Sequence, residues 1–370
     1  MTDLERILPL WHELESAKED YVLATVVAVE GSSYRKPGAR MLLAPDGRRA
    51  GTVSGGCLEA EVARRAWWLT AEGSVVERYS TAEDDGERPY GSGCGGVVSI
   101  LLERKATAAP LLSAMETAFR ARTPIAIATV LEGRHIGTRA CASGESTGAA
   151  ELQILAARAL AQHSSFDQRV EFERESPRVW VDYRLARPGL WIFGAGDDAR
   201  PLLALTRELG WFVAVADGRA HLATPARFAA ADAVRALPIA ELPGRAEGLL
   251  SPRPTDACVV MTHSFEQDAR ILASLFALRA SPAYIGVLGP QFRTRELLQE
   301  AARLLGVPAT INRTEEWLAQ IHAPTGLDLG AETPATIALS ILAEIQKTLA
   351  SATGRPLRQV RAARAIAVKD

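Results

Sequence analysis

Cysteine and histidine are scarce in this chain: four and six among 370 residues. Cys57, Cys94, Cys141 and Cys258 form no C-x-x-C pair and no zinc-type spacing, which excludes a zinc ribbon and a thioredoxin-type motif. No apolar run approaches the roughly 20 residues that a membrane-spanning helix needs. Charge of one sign is missing too. A formal net charge of -2 gives no general pull toward nucleic acid or a membrane surface. There is no H-E-x-x-H and no Walker loop, so zinc-protease and P-loop readings have no support. The N-terminal "MTDLERILPLWHELESAKED" reads as an amphipathic, acid-containing helix rather than a signal peptide, and the expected location is the cytoplasm. In that reducing compartment the cysteines are expected to act as thiols.

What is present is enough for two domains, since 370 residues exceed the size at which one core usually stops growing. After the first helix, "YVLATVVAVEGSS" is a β-branched strand, and "ARMLLAPDGRRAGTVSGG" is a hairpin around Pro-Asp-Gly. "CLEAEVARRAWWLTAEG" spaces Leu58, Val62, Ala66 and Leu69 on one helical face, with Gly73 as the expected C-cap. "SVVERYS", a polar loop and the strand "GVVSILLERK" follow. The run "LATVVAVEG" at 23–31 is echoed by "IATVLEG" at 127–133, which suggests a pseudo-symmetric sheet. A linker near 185–190 ends the first domain, expected at 1–187.

The second domain, expected at 188–346, opens with "LWIFGAG", a helix ended by Gly210, and the strand "WFVAVADGR". Strand, glycine turn, helix and strand make a βαβ unit, and "ACVVMTH" and "AYIGVLG" add two more apolar strands. A helix is expected from Thr333 with Pro334 in its first turn and Ile337, Ile341 and Ile345 facing the core. The tail, 347–370, carries six Lys or Arg against one acid.

Two groups of residues could carry chemistry. In the first domain, Cys57 follows Gly55 and Gly56 and precedes a helix, while Cys94 sits in "GSGCGG" before Gly95 and Gly96. Glycines allow outward N–H groups and close ligand approach, and a helix N-terminus lowers a thiol pKa. Such a thiolate would be a nucleophile, a sulfur carrier or a soft-metal ligand; the alternative is a small buried side chain. Arg35, Lys36 and Arg40 in "GSSYRKPGAR" could face a phosphate, or be ordinary surface charges. In the second domain, Gly194, Gly196 and Ala199 match G-x-G-x-x-A, and Asp217 lies at the ribose-binding position of a dinucleotide fold. Against an NAD(P) site, Asp197 and Asp198 occupy the helix N-terminus, where they are expected to satisfy the free N–H groups and repel phosphate. His263 ends a strand at the edge where such sheets bind ligands, with Asp268 within expected reach; Arg293 and Arg295 are expected near the same edge.

Taken in order, "VEGSSYRKPGARML", "GTVSGGCLE", "GCGG", "IFGAG", "VVMTHSFEQD", "YIGVLG" and "HAPTGLDLGAETPATIALSILAEI" resemble the XdhC/CoxI family of accessory proteins for molybdenum hydroxylases, over about residues 20–346. The resemblance implies an α/β chain: an N-terminal α+β XdhC/CoxI domain followed by a Rossmann-like, doubly wound parallel-sheet domain. It implies an accessory protein rather than an enzyme. Such proteins bind the molybdenum cofactor as molybdopterin or its cytosine dinucleotide form, cooperate with a cysteine desulfurase, and deliver the sulfurated cofactor to xanthine dehydrogenase, aldehyde oxidoreductase or CO dehydrogenase-like clients. A homodimer is expected. On this resemblance Cys57 becomes the expected metal-facing thiol, with Cys94, the glycine turns and Arg35 or Arg40 around the pterin and phosphate, and Gly194, Gly196, Asp217 and His263 as further cofactor contacts. The family often has histidine where this chain has Asp197, "THDH" where it has Thr262-His263-Ser264-Phe265, and a Gly-Ser-Arg turn in place of "GVLGPQFRT". The alternatives are an NAD(P)-dependent oxidoreductase with a reactive cysteine and a purely structural assembly factor.

Overall fold

The computed structural model describes residues 2–56, 58–80, 96–142 and 150–360. The chain divides into two compact units, Met1–Arg187 and Pro188–Asp370.

Unit 1 runs α1 (Asp3–Ala17), β1 (Val22–Glu30), β2 (Arg40–Leu43), β3 (Arg49–Gly51), α2 (Glu59–Leu69), β4 (Val75–Ser80), β5 (Val97–Arg104), α3 (Lys105–Ala121), β6 (Ile125–Val130), β7 (Arg139–Cys141), α4 (Ala150–Gln162), β8 (Phe166–Arg169) and β9 (Arg178–Arg184). The β2–β3 hairpin forms as the Pro-Asp-Gly turn predicts, with Met41 opposite Gly51. α2 buries Val62 and Ala66 but stops earlier than expected. Thr70 ends it, its hydroxyl donating to the Ala66 carbonyl at 2.7 Å, three residues before Gly73. α3 is an addition to the elements expected from sequence, and the polar loop at 81–93 lies outside the described residues.

The strands form two antiparallel sheets, β3-β2-β1-β5-β4 and β7-β6-β9-β8. Alternation along β1 sends Val22, Ala24 and Val26 toward Leu58, Val62 and Ala66 of the α2 side, while Leu23 joins Ile125 and Ile127 of β6 in a shared core. Along β6, Ala126, Ala128 and Val130 turn to Leu152, Leu155 and Ala159 of α4. α2 and α4 thus cover one face of each sheet, and α1 and α3 pack into the core that the two sheets share.

The echo between 23–31 and 127–133 is an internal repeat of the fold. β1-β2-α2-β4-β5 and β6-β7-α4-β8-β9 share one strand order, β2-β1-β5-β4 against β7-β6-β9-β8. The register agrees residue by residue. Thr25 lies opposite Arg40 as Thr129 lies opposite Arg139, and Leu23 opposite Glu103 as Ile127 opposite Asp182.

Unit 2 runs β10 (Gly189–Phe193), α5 (Ala199–Glu208), β11 (Phe212–Asp217), β12 (Ala233–Ala236), α6 (Ala246–Leu249), β13 (Ala257–Val260), α7 (Phe265–Ala277), β14 (Tyr284–Val287), α8 (Gln291–Leu304), α9 (Ile311–Leu318) and α10 (Pro334–Leu349). All five strands are parallel in the order β12-β11-β10-β13-β14. Their unbroken apolar runs follow from burial on both faces. Trp191, Phe193, Cys258 and Val260 pack toward α7 and α8, and Leu190, Ile192, Val213 and Val259 toward α5 and α10. The strand order reverses at β10, the position where doubly wound sheets open a crevice. α10 starts as expected, with Thr333 capping through Thr336 and Pro334 in the first turn; Ile341 and Ile345 are buried, Ile337 only partly. It continues into the expected tail as far as Leu349, and the last ten residues lie outside those described.

Candidate functional site

Three loops meet at one end of the first sheet in unit 1. A Cβ on Gly96, which leads into β5, would clash with the Ser32 carbonyl and lie 2.9 Å from that of Glu30, so only glycine fits against the loop leaving β1. On Gly55, beyond β3, a Cβ would touch the Tyr34 ring at 3.7 Å. Arg35 donates to the Thr52 carbonyl at 3.4 Å. The loop leaving β1, the turn at 52–56 and Gly96 are thus neighbours in space. Cys57, Cys94 and Gly95 lie outside the described residues.

The middle loop is built on Glu59, the first residue of α2. Its buried carboxylate accepts from the Val53 and Ser54 backbones at 3.1 and 2.8 Å and from the Ser54 hydroxyl at 2.5 Å. The same hydroxyl accepts from the backbones of Gly56 and Leu58, each at 3.1 Å, on either side of residue 57. Burial pushes the Glu59 carboxyl up, but the bonds from Ser54 and Val53 outweigh it and hold the group below its ordinary range. Gly56 adopts φ +116° with open space where a side chain would be, so its backbone is open to close approach. Sequence reasoning missed Ser54 and Glu59; an acid at the first position of a helix that follows Ser-Gly-Gly was the available signal.

The two arginines expected at this site are engaged elsewhere. Arg40 is on β2, buried, and its Nη2 donates to Asp182 of β9 at 2.9 Å, because alternation turns it into the space between the sheets. It is no ligand for a surface phosphate, which corrects the sequence reading. Arg35 is ion-paired with Asp3. Lys36 between them is exposed and has no ion-pair partner among the described residues.

In unit 2, Gly194 (φ +136°) leaves no room for a Cβ against the Met261 carbonyl, tying the β10 turn to the end of β13. Asp217 is fully buried and committed within the chain. It accepts from the Ala195 backbone at 2.7 Å and takes two side-chain bonds from Arg219, at 2.9 and 2.7 Å. Burial raises its carboxyl; Arg219 and the two backbone donors more than reverse that. Arg219 also donates to the Thr262 carbonyl at 3.0 Å, spanning the ends of β11 and β13. Two expectations change here. Asp198 stands at the N-cap of α5 but makes no side-chain cap bond; it meets His263 Nε2 at 2.7 Å. Asp197 turns to Arg227 at 2.9 Å. Asp268 does not reach His263: it is buried, bonded to the Thr262 hydroxyl at 2.6 Å and to Arg293 at 2.7 Å. Arg295, early in α8, pairs with Glu315 of α9. Gly196 stands in the turn, where a Cβ would clash with Asp198.

The "HAPTG" motif is a structural clasp. His322 stacks on Tyr284 with ring centroids 4.2 Å apart and its Nδ1 lies 3.1 Å from Glu344. Glu344 also accepts from Tyr284 Oη at 2.7 Å and from the Gly326 backbone at 2.8 Å. Among the described residues no cluster of three or more His, Cys, Asp or Glu could hold a metal ion, and no helix is long and apolar enough to cross a membrane. Cys141 and Cys258 are free thiols, and burial raises the pKa of each.

Two family models match the chain: "XdhC and CoxI family" over residues 14–80 and "XdhC Rossmann domain" over residues 190–345. A Bacillus subtilis protein, named as a probable xanthine dehydrogenase component, is 30% identical over 344 residues, 90% of this chain and 94% of its own length. The molybdenum cofactor insertion chaperone PaoD of Escherichia coli is 26% identical over 336 residues, 88% of this chain and 82% of its own. Among solved structures, that of a xanthine dehydrogenase from Bacillus halodurans superposes with a TM-score of 0.72 at 29% identity, covering 95% of this chain and 96% of that one.

Proposed function

The chain belongs to the XdhC/CoxI family, and from that premise we propose that it is a molybdenum cofactor-binding maturation chaperone. In this reading it holds the cofactor, as molybdopterin or its cytosine dinucleotide form, at the three-loop end of unit 1. It protects the sulfurated form, received through a cysteine desulfurase, and passes it to a hydroxylase of the xanthine dehydrogenase, aldehyde oxidoreductase or CO dehydrogenase type. It works in the cytoplasm as a homodimer and carries out no turnover of its own.

One observation carries the reading: the loop leaving β1, the turn at 54–56 and Gly96 come together, with Gly55 against the Tyr34 ring, open space at Gly56, and Lys36 exposed two residues after Tyr34. The donor set suits the group. An aromatic face suits a pterin, an ammonium suits a phosphate, and Cys57 adds the soft donor that a molybdenum–sulfur centre accepts. When bound, the cofactor supplies the metal and sulfido ligand that the client needs. The chain's own residues hold and shield it, with Ser54 and Glu59 fixing the backbone on both sides of residue 57.

The NAD(P) alternative fares worse. Asp217, the residue that would meet a ribose, is buried and fully occupied by Ala195 and Arg219.

The test is anaerobic purification from a host that makes the cofactor, with molybdenum and oxidised-pterin fluorescence measured per chain. Near-stoichiometric metal and pterin, lost in Cys57→Ala or Cys94→Ala, is the expected result. Absence of pterin, under conditions where a carrier of this family retains it, would overturn the reading.

A further inference from the structure

His263 and Asp198 arrive from the ends of adjacent strands, β13 and β10, and meet at 2.7 Å at the point where the strand order reverses. Two local features mark the pair. His263 has φ +62°, the left-handed region that a side chain enters at a steric cost. Asp198, at the N-cap position of α5 but in helical conformation, makes no side-chain cap bond and meets the imidazole instead. Backbone held in a sparsely populated region at a ligand-binding edge is a pointer to function.

The pair has a defined chemistry. An imidazole that donates Nε2–H to a carboxylate keeps its lone pair on Nδ1, and the His263 side chain is 60% exposed. In that tautomer Nδ1 is a fixed acceptor on a largely exposed ring. The neighbouring arginines are neutralised: Arg219 by Asp217, Arg227 by Asp197, Arg293 by Asp268. That charge balance does not favour a phosphate. Phe265 opens α7 two residues after His263, Phe292 sits in the first turn of α8 beyond the next strand, and both rings are exposed.

We infer that the His263–Asp198 pair is a binding subsite for the edge of a flat heterocycle that presents a ring N–H, as pterins and guanine do, with the phenylalanines offering it an aromatic face. Choosing a pterin as the first probe rests on the reading proposed above; the subsite itself rests on the geometry of unit 2. His263 is the acceptor and Asp198 a positioning residue. An amide in its place can donate to Nε2, which moves the imidazole proton to Nδ1 and removes the acceptor.

The experiment is calorimetric titration of the full chain with biopterin and, separately, guanosine. Biopterin is expected to bind, at least tenfold more weakly to Asp198→Asn and to His263→Gln, and with unchanged affinity to Arg227→Ala. His263→Gly keeps the fold accessible, since glycine takes φ +62° without strain; it is expected to melt no lower than the parent while losing binding. Guanosine binding with the same dependence would assign the subsite to a nucleobase rather than a pterin. No binding of either, or equal affinity in all variants, overturns the inference. Molybdenum content of the same variants separates the two claims. Cofactor retained in full with biopterin binding absent sinks the subsite alone, whereas biopterin binding through the pair in a chain that never carries molybdenum sinks the chaperone reading alone.

Discussion

Arg40 of β2 donates to Asp182 of β9 at 2.9 Å, from one sheet of unit 1 to the other, and both side chains are almost fully buried. At the positions related by the internal repeat, Arg139 of β7 pairs back with Glu103 of β5. Each half of the repeat thus supplies the cation for the acid of the other half. Burial pulls Arg40 down in pKa and Asp182 restores part of it, while for Glu103 burial outweighs Arg139 and Arg40 and raises the carboxyl.

Breaking the first pair is expected to leave a buried guanidinium uncompensated. Asp182→Asn should cost about 3–5 kcal/mol of unfolding free energy, whereas the double change Arg40→Met with Asp182→Leu should recover most of it. Urea denaturation at neutral pH measures both. Because its charged form is already disfavoured, Glu103→Gln should cost less than Asp182→Asn; an equal loss would contradict the asymmetry.

Glu59 gives a pH dependence of opposite sign to that of Glu103. Its folded carboxyl lies below the unfolded value of about 4.3, so its contribution is complete above that value and is lost as pH falls through the lower folded one. For Glu103, raised in the folded state, stability is greatest at low pH and declines as pH climbs from about 4.3 through the folded value. Stability profiles of Glu59→Gln and Glu103→Gln should each lack one of these slopes, on opposite sides of that point.

Tyr34 and Lys36 are exposed, so replacing them should leave stability within about 0.5 kcal/mol. Tyr34→Ala and Lys36→Gln are nevertheless expected to lower pterin content severalfold in protein purified with its cofactor. Arg35→Gln should leave that content near the parental value, since Arg35 is committed to Asp3.

Asp217→Ala leaves the buried Ala195 N–H without its acceptor and takes the carboxylate from Arg219, which keeps only the Thr262 carbonyl. The expected outcome is a loss of about 1–3 kcal/mol in thermal or urea unfolding. Titration of the parent with NADH should give no heat of binding. Saturable NADH binding abolished by this change would put the dinucleotide reading ahead of the chaperone one.

Much of this was legible in the chain itself. Unbroken apolar strands alternating with helices specify a parallel sheet covered on both sides, and G-x-G marks its first turn, because period and burial are local properties of sequence. The β1–β6 echo was visible as a short run of similar letters. That it was a repeat of whole layers, with Thr25, Arg40 and Glu103 answered by Thr129, Arg139 and Asp182, needed the register. Glu59 could be read as an acid in a first turn, but not as the anchor of the loop before it.

The partners of the charged residues were decided by the tertiary structure. Sequence spacing placed Arg40 beside a glycine loop, yet its side chain points where alternation on β2 sends it, to an acid 142 residues away. His263 and Asp268 are near in sequence, but the buried Thr262 and Arg293 claim Asp268, and His263 finds Asp198 from another strand. Hydrophobic patterning repeats every few residues and survives in the one-dimensional record. A salt bridge is set by distances of a few ångströms between segments that only the packed sheets bring together.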